Sequence, residues 1–162
     1  MMPIVLKKYP QTTLHIIGGG EKNLERLKAL VGSMKLSDKI IFHGFVVKST
    51  DMSKILSRCY VAVAPYRAFP NSVRYYADAS KMRSYAAAGL PIVTTNVPPL
   101  GKELEKAGGA FGTGNNKNDF SKVVMSLFSD PKLYAKMRKS VIKFAKNNTW
   151  DNEFSHAFFE SQ

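Results

Sequence analysis

The chain has 162 residues, 44% of them hydrophobic and 22% charged. That excludes a disordered polypeptide and allows a self-sufficient core. Lys and Arg number 24 against 12 Asp and Glu, a net charge of +12, so polyanions are the expected partners: nucleic acid, anionic lipid or phosphorylated ligands.

Cys59 is the one cysteine. No intrachain disulfide can form, and a reducing, cytoplasmic setting is expected. No apolar run reaches the roughly 20 residues of a membrane-spanning helix, and residues 1–8 are too briefly apolar to read as a secretory leader.

In chain order, residues 2–8 read as the tail of a helix closed by Tyr9-Pro10. Leu14-His15-Ile16-Ile17 is a short buried strand ended by Gly18-Gly19-Gly20. A helix follows over about 21–35, with Leu24, Leu27, Val31 and Met34 at three-to-four spacing. Ile40-Ile41-Phe42 is a second strand, ending at His43-Gly44, and a short helix carries Met52, Ile55 and Leu56. Residues 60–64 form a third strand, stopped by Pro65, and 66–79 read as a loop. A helix from Ser80 to Ala88 ends at Gly89. Then come a strand over 91–95, a loop over 96–100, a short helix over 102–106 and an extended piece around Ala110-Phe111. Three helices close the chain, near 119–128, 131–147 and 150–160.

Short apolar strands alternate with helices every 20 to 30 residues or so, which predicts βαβ units. Continuous apolar runs predict parallel strands buried on both faces. The expected fold is therefore α/β, a Rossmann-like doubly wound parallel sheet with C-terminal helices. The chain opens inside a helix where such a domain opens with a strand, so an incomplete N-terminus lacking the first strand is expected.

Ligands of open α/β sheets bind beyond the carboxyl ends of the strands. Four loops fall there: 18–20, 43–50, 65–79 and 96–101. The third is the most informative. Residues 65–85 carry Arg67, Arg74, Lys81 and Arg83 against the single acid Asp78. The stretch enters a helix at Ser80, and free N–H groups at a helix start hold anions, phosphate above all. Asp78 or Ser80 is the expected N-cap. Lys81 sits badly with the helix dipole unless an anion is present. One reading is a diphosphate held by this helix start with Lys81 and Arg67; the other is a capped surface helix with solvated cations.

Gly18-Gly19-Gly20 lacks the spaced G-x-G-x-x-G fingerprint, and Glu21 would repel phosphate. A tight turn that lets a ligand approach the backbone is the better reading. On the helix over 131–147, Lys132, Lys136, Lys139, Lys143 and Lys146 form one stripe opposite Leu133, Met137, Val141 and Phe144. The stripe suits an anionic membrane surface, or simply solvent around a packed helix. Cys59 reads as a core residue, and His15 and His156 lack partners at metal spacing. His43 ends a strand at the ligand edge and reads as a satisfied structural histidine. Trp150, Phe154 and Phe158 read as a docking stripe.

Residues 78–95, Asp-Ala-Ser-Lys-Met-Arg-Ser-Tyr-Ala-Ala-Ala-Gly-Leu-Pro-Ile-Val-Thr-Thr, resemble the signature of group 1, family 4 glycosyltransferases of the GT-B fold, near D-P-x-K-L-x-E-Y-L-A-A-G-L-P-V-V-T-T. Residues 14–20 resemble the family's L-x-I-V-G-x-G, 41–46 its V-x-F-x-G-x-V, and 60–66 its A-D-V-x-V-x-P-x. Thr149-Trp150-Asp151 resembles its S-W-E. The resemblance spans nearly the whole chain.

It implies that residues 1–162 are a single Rossmann-like donor-binding domain, the C-terminal half of such an enzyme. The expected activity is retaining, hexosyl-type transfer from a UDP- or GDP-sugar to an acceptor held by an N-terminal domain or a separate chain. It implies no cofactor beyond the nucleotide-sugar substrate and no tightly bound metal.

Position by position, Gly18 would let the donor approach the backbone, and the backbone near Val46 and Val47 would face the base. Tyr66 and Arg67 would approach the sugar and phosphates, and Ser80-Lys81 would meet the diphosphate. Ser84 stands where the family's ribose-binding glutamate lies, and Tyr76 where its partner glutamate lies; Asp78 is the candidate replacement. The expected location is the cytoplasm, with peripheral contact at the inner membrane face, and this chain alone is not expected to transfer sugar. Two rival readings stay open: a degenerate, non-catalytic partner subunit, and a basic nucleic-acid-binding module, although no specific nucleic acid is expected.

Overall fold

The computed structural model describes residues 1–67, 69, 71–95, 97–114, 116–149 and 151–152. Two compact units, Met1–Ile55 and Leu56–Gln162, divide the chain. The expected helix over 150–160, the Trp150, Phe154 and Phe158 stripe and His156 lie outside the described residues, apart from helical Asp151 and Asn152.

The first unit runs α1 (Met2–Lys8), β1 (Leu14–Ile17), α2 (Glu21–Ser33), β2 (Ile40–Gly44) and most of α3 (Ser49–Leu56). β1 and β2 are parallel, with Leu14 beside Ile40, Ile16 beside Phe42 and Ile17 beside Gly44. Because side chains alternate across a strand, Leu14, Ile16, Ile40 and Phe42 share one face. They pack there with Met2, Leu6, Val31 and Leu36. The helix expected to reach Lys35 stops at Ser33, where the chain turns through Lys35 at φ 55°.

The second unit runs β3 (Ala62–Ala64), α4 (Ser80–Ala87), β4 (Ile92–Thr95), α5 (Pro99–Lys106), β5 (Ala110–Thr113), α6 (Lys117–Ser129) and α7 (Pro131–Asn147). Its sheet is parallel in the order β3-β4-β5. The central strand β4 is buried along its whole length. It is a continuous β-branched run, Ile-Val-Thr-Thr, as a strand covered on both faces should be. Around it the core closes with Met82, Leu90, Leu104, Leu127 and Val141, all 1% exposed or less. Each such side chain contributes about 1.5–3 kcal/mol of transfer free energy.

Helix starts follow their residues. Asp130 accepts hydrogen bonds from the N–H groups of Lys132 and Leu133 at 3.0 and 2.9 Å. Pro131 follows at the first helical position, where its missing donor costs nothing. Asn116 caps α6 in the same way through Asn118 N–H at 2.8 Å.

Two boundaries correct the sequence reading. The helix expected over 102–106 begins at Pro99, because a proline suits the first turn as well as it suits a loop. Among its described residues, the loop expected over 66–79 holds a 3-10 turn, Val73–Tyr75, whose lead residue Ser72 accepts a hydrogen bond from Arg74 N–H at 3.3 Å.

Candidate functional site

In the second unit the ligand edge is built by β4. Thr94 and Thr95 end the strand with hydroxyls that donate to the backbone at and just after β3: Thr94 Oγ1 to the carbonyl of Ala64 at 3.0 Å, and Thr95 Oγ1 to the carbonyl of Tyr66 at 2.7 Å. These bonds fix where the chain leaves β3, and therefore where Tyr66 and Arg67 begin the long loop. Tyr66 N–H also returns to the Ala64 carbonyl at 3.0 Å.

Tyr66 is half-buried. Burial raises its hydroxyl above the usual tyrosine value; nearby Arg74 opposes the rise and Asp78 adds to it. Tyr85 on α4 is raised chiefly by burial, with Tyr66 and Cys59 adding. Tyr66 is thus close enough to feel Arg74, Asp78 and Tyr85.

Neither expected residue caps α4. Its N-cap is Ala79, without a side-chain bond. Asp78 instead takes the Nε of Arg83 through both carboxylate oxygens, at 3.1 and 2.9 Å. A charge-assisted bond to a guanidinium outcompetes a neutral N–H. Ser80 is already the first helical residue, too far along to cap. The first turn of α4 therefore offers N–H groups with no acid among its residues, beside the exposed Ser80 and Lys81. Ser84, one turn on, is exposed and donates to the carbonyl of Ser80 at 3.2 Å.

In the first unit the ligand edge is the pair of loops after β1 and β2. Gly18 N–H donates to the carbonyl of Gly44 at 2.6 Å. Gly18, Gly19 and Gly44 take φ of 94°, 103° and 65°, backbone that other residues seldom adopt. No atom lies within 4 Å of where a Cβ would stand on any of the three, so the glycines answer to backbone shape and leave open space above it. Val46 is half-buried, while Val47 is 82% exposed.

Besides the Asp78–Arg83 pair, the sequence reading missed two groupings. The threonine hydroxyls of β4 went unseen because Thr in a strand reads as β-propensity alone. His15 and His43 stand on one face of the β1–β2 pair, joined by a 2.9 Å Nδ1···Nε2 hydrogen bond. The strand register brings them together, and register is what a lone sequence withholds. Burial, then the neighbouring His43, lowers the pKa of His15. No cluster of three or more His, Cys, Asp or Glu suited to a metal occurs among the described residues, and no described helix is long and apolar enough to cross a membrane.

Parallel strands with intervening helices define a Rossmann-like α/β fold. Residues 1–144 match the family described as Glycosyl transferases group 1, and the chain belongs to that family.

It is 30% identical over 138 residues to an uncharacterized glycosyltransferase of Haemophilus influenzae, covering 83% of this chain and 35% of the relative. The chain thus spans about a third of the length of that curated relative. Among solved structures it is similar to WaaG, a glycosyltransferase involved in lipopolysaccharide biosynthesis, with TM-score 0.74 and 14% identity over 98% of this chain and 42% of that one. It is also similar to Anabaena Alr3699/HepE in complex with UDP and glucose, with TM-score 0.75 and 16% identity over 99% and 44%. The C-terminal domain of LpcC from Francisella tularensis matches with TM-score 0.69 and 17% identity over 90% and 73%. At these identities the likeness is one of fold, and that fold is the GT-B glycosyltransferase half-domain.

Proposed function

We propose that this chain is the donor-binding half of a group 1 glycosyltransferase. It holds a UDP- or GDP-sugar while a retaining, hexosyl-type transfer proceeds to an acceptor carried by an N-terminal domain or a partner chain. By itself it binds donor without turnover. No cofactor beyond the nucleotide sugar enters this reading. The protein works in the cytoplasm, in peripheral contact with the inner membrane face.

The observation that carries the reading is the start of α4: an uncapped first turn, free of acids, with Lys81 exposed beside it. A lysine there is unfavourable against the helix dipole and becomes favourable when a diphosphate lies between them. Arg67, exposed at the head of the loop fixed by Thr95, adds a second cation. As the sugar–phosphate bond breaks, negative charge grows on the leaving diphosphate. Oriented N–H groups and cations stabilise that charge without having to reorganise. Complexes of similar folds with UDP and sugar support a nucleotide-sugar ligand.

The test is calorimetry with UDP, GDP, uridine and guanosine at physiological salt. Lys81→Ala is expected to weaken diphosphate binding about tenfold, roughly 1.4 kcal/mol, and to leave nucleoside binding nearly unchanged. Equal losses for both would remove Lys81 from the phosphate site.

Ser84 favours a second reading, a non-catalytic partner subunit. Its hydroxyl is engaged by the Ser80 carbonyl, and no carboxylate stands there to take ribose hydroxyls. Ser84→Glu raising nucleotide affinity would favour a weakened active site over that reading.

A further inference from the structure

We propose that the loop after β3 is an acceptor subsite that selects a saccharide carrying a phosphate or carboxylate group. Arg74 holds the anionic group, and Phe69 and Tyr76 hold the face of the sugar ring. The inference rests on the donor reading above and names the class of acceptor that reading leaves open.

The chemistry of transfer puts the acceptor against this loop. An acceptor hydroxyl has to come within bonding distance of the sugar carbon that leaves the diphosphate. In the donor reading the diphosphate lies at the start of α4, and Tyr66 and Arg67 approach the sugar. The loop that Thr95 anchors at Tyr66 runs on from that point, so its outer residues are the next surface an acceptor meets. Arg74 stays within electrostatic reach of the Tyr66 hydroxyl.

The side chains of the loop suit a charged sugar. Arg67 and Arg74 hold their guanidinium groups 5.8 and 6.0 Å from the centre of the Phe69 ring, two like charges about one ring. Among the described residues neither is paired with a carboxylate. Asp78, the only acid between Asp51 and Glu103, is bound to Arg83 at 2.9 Å. An anion complements the two charges, and a guanidinium takes phosphate or carboxylate through two parallel hydrogen bonds. Phe69 is 47% and Tyr76 86% exposed. A pyranose presents C–H groups on its face, and these pack on the negative face of an aromatic ring. The backbone beneath is already ordered. Ser72, Tyr75 and Tyr76 donate their N–H groups to the carbonyls of Phe69, Ser72 and Val73 at 3.2, 3.1 and 3.0 Å, so binding has less order left to impose.

The lysine stripe of α7 does not offer the same. Tyr134, the tyrosine of that helix, is stacked on Tyr60 with ring centres 3.9 Å apart, so that ring face is already covered.

The test is saturation-transfer NMR and calorimetry on the full chain at physiological salt, with and without saturating UDP or GDP. The probes are glucose 6-phosphate, glucuronate, glucose and inorganic phosphate. At least one of the two charged sugars is expected to bind about tenfold tighter than glucose or inorganic phosphate, with nucleotide or without it. The tighter of the two identifies the anionic group as phosphate or carboxylate. Arg74→Gln is expected to lose about tenfold for the charged sugar, Arg74→Lys less, and Tyr76→Ser severalfold. All three variants should keep their nucleotide affinity and melting temperature. Displacement of the charged sugar by UDP or GDP, its undiminished binding to Arg74→Gln, or joint loss of nucleotide and sugar in that variant would overturn the proposal. So would glucose or inorganic phosphate binding as tightly as the charged sugars. The two readings fail separately. Nucleotide bound with no charged sugar sinks only the subsite. A charged sugar lost in Arg74→Gln but kept in Lys81→Ala, by a chain that ignores UDP and GDP, sinks only the donor reading.

Discussion

His15 and His43 face each other with their rings inclined by only 16° and a single 2.9 Å N···N bond between them. One ring must give the proton and the other the lone pair, so charging both destroys the bond and sets two cations side by side. Burial first, and His43 second, lower the pKa of His15. The unfolded chain therefore binds that proton more readily than the folded one does. Stability is intact above the ordinary histidine value of 6.5 and declines as pH falls through and below it. Denaturant midpoints measured across that range are expected to drop toward acid in the parent and less steeply in His15→Gln. Parallel slopes would assign the acid sensitivity to other groups. At the same scale, Thr95 shows how one hydroxyl positions a loop. Its 2.7 Å bond to the Tyr66 carbonyl ties the head of a long loop to the most buried strand of the second unit.

Among elements, α7 packs closely over Gly109, the residue just before β5. A Cβ built on Gly109 would lie 3.0 Å from both Cα and Cβ of Val141, whose side chain is fully buried. Backbone cannot step aside as a flexible side-chain end can, so Gly109→Ala must push α7 away from β5. A loss of about 1–3 kcal/mol in urea unfolding is expected. Gly114→Ala, with open space around it, should be near neutral or slightly stabilising. Equal effects at the two sites would show that the helix yields.

Elements announced by periodicity were legible before any coordinates. The Ile-Val-Thr-Thr run of β4 and the Asp130-Pro131 start of α7 belong to this class, since their causes are local. The start of α5 at Pro99 was not legible, because Pro98-Pro99 serves a loop and a first helical turn alike. Of the candidate site, the edge loops and the entry into α4 could be read from residue order. The threonine anchors, the Asp78–Arg83 pair and the histidine pair could not, because each depends on which residues the fold sets side by side.

For the molecule as a whole, charge is the dominant unspent term. A chain of +12 repels itself when compact, and its exposed ion pairs repay little of that. Lys54–Asp51 at 3.3 Å and Lys122–Asp119 at 3.9 Å have lysine side chains about three-quarters exposed, where such pairs are worth about 0–1 kcal/mol. Added salt weakens both terms, since the screening length falls from about 30 Å at 0.01 M to about 8 Å at 0.15 M. Repulsion acts over the longer distances, among many cations, so screening relieves it first. The melting temperature is therefore expected to rise by a few degrees between about 0.01 and 0.15 M sodium chloride. Diphosphate or sulfate at equal ionic strength should raise it further if the start of α4 holds an anion, because a ligand bound to the folded state alone adds stability beyond screening. A melting temperature that falls with sodium chloride would mean that close ion pairs outweigh the net charge. A rise identical for chloride and diphosphate would mean that the cations act only as a diffuse field, and the anion site at α4 would lose its support.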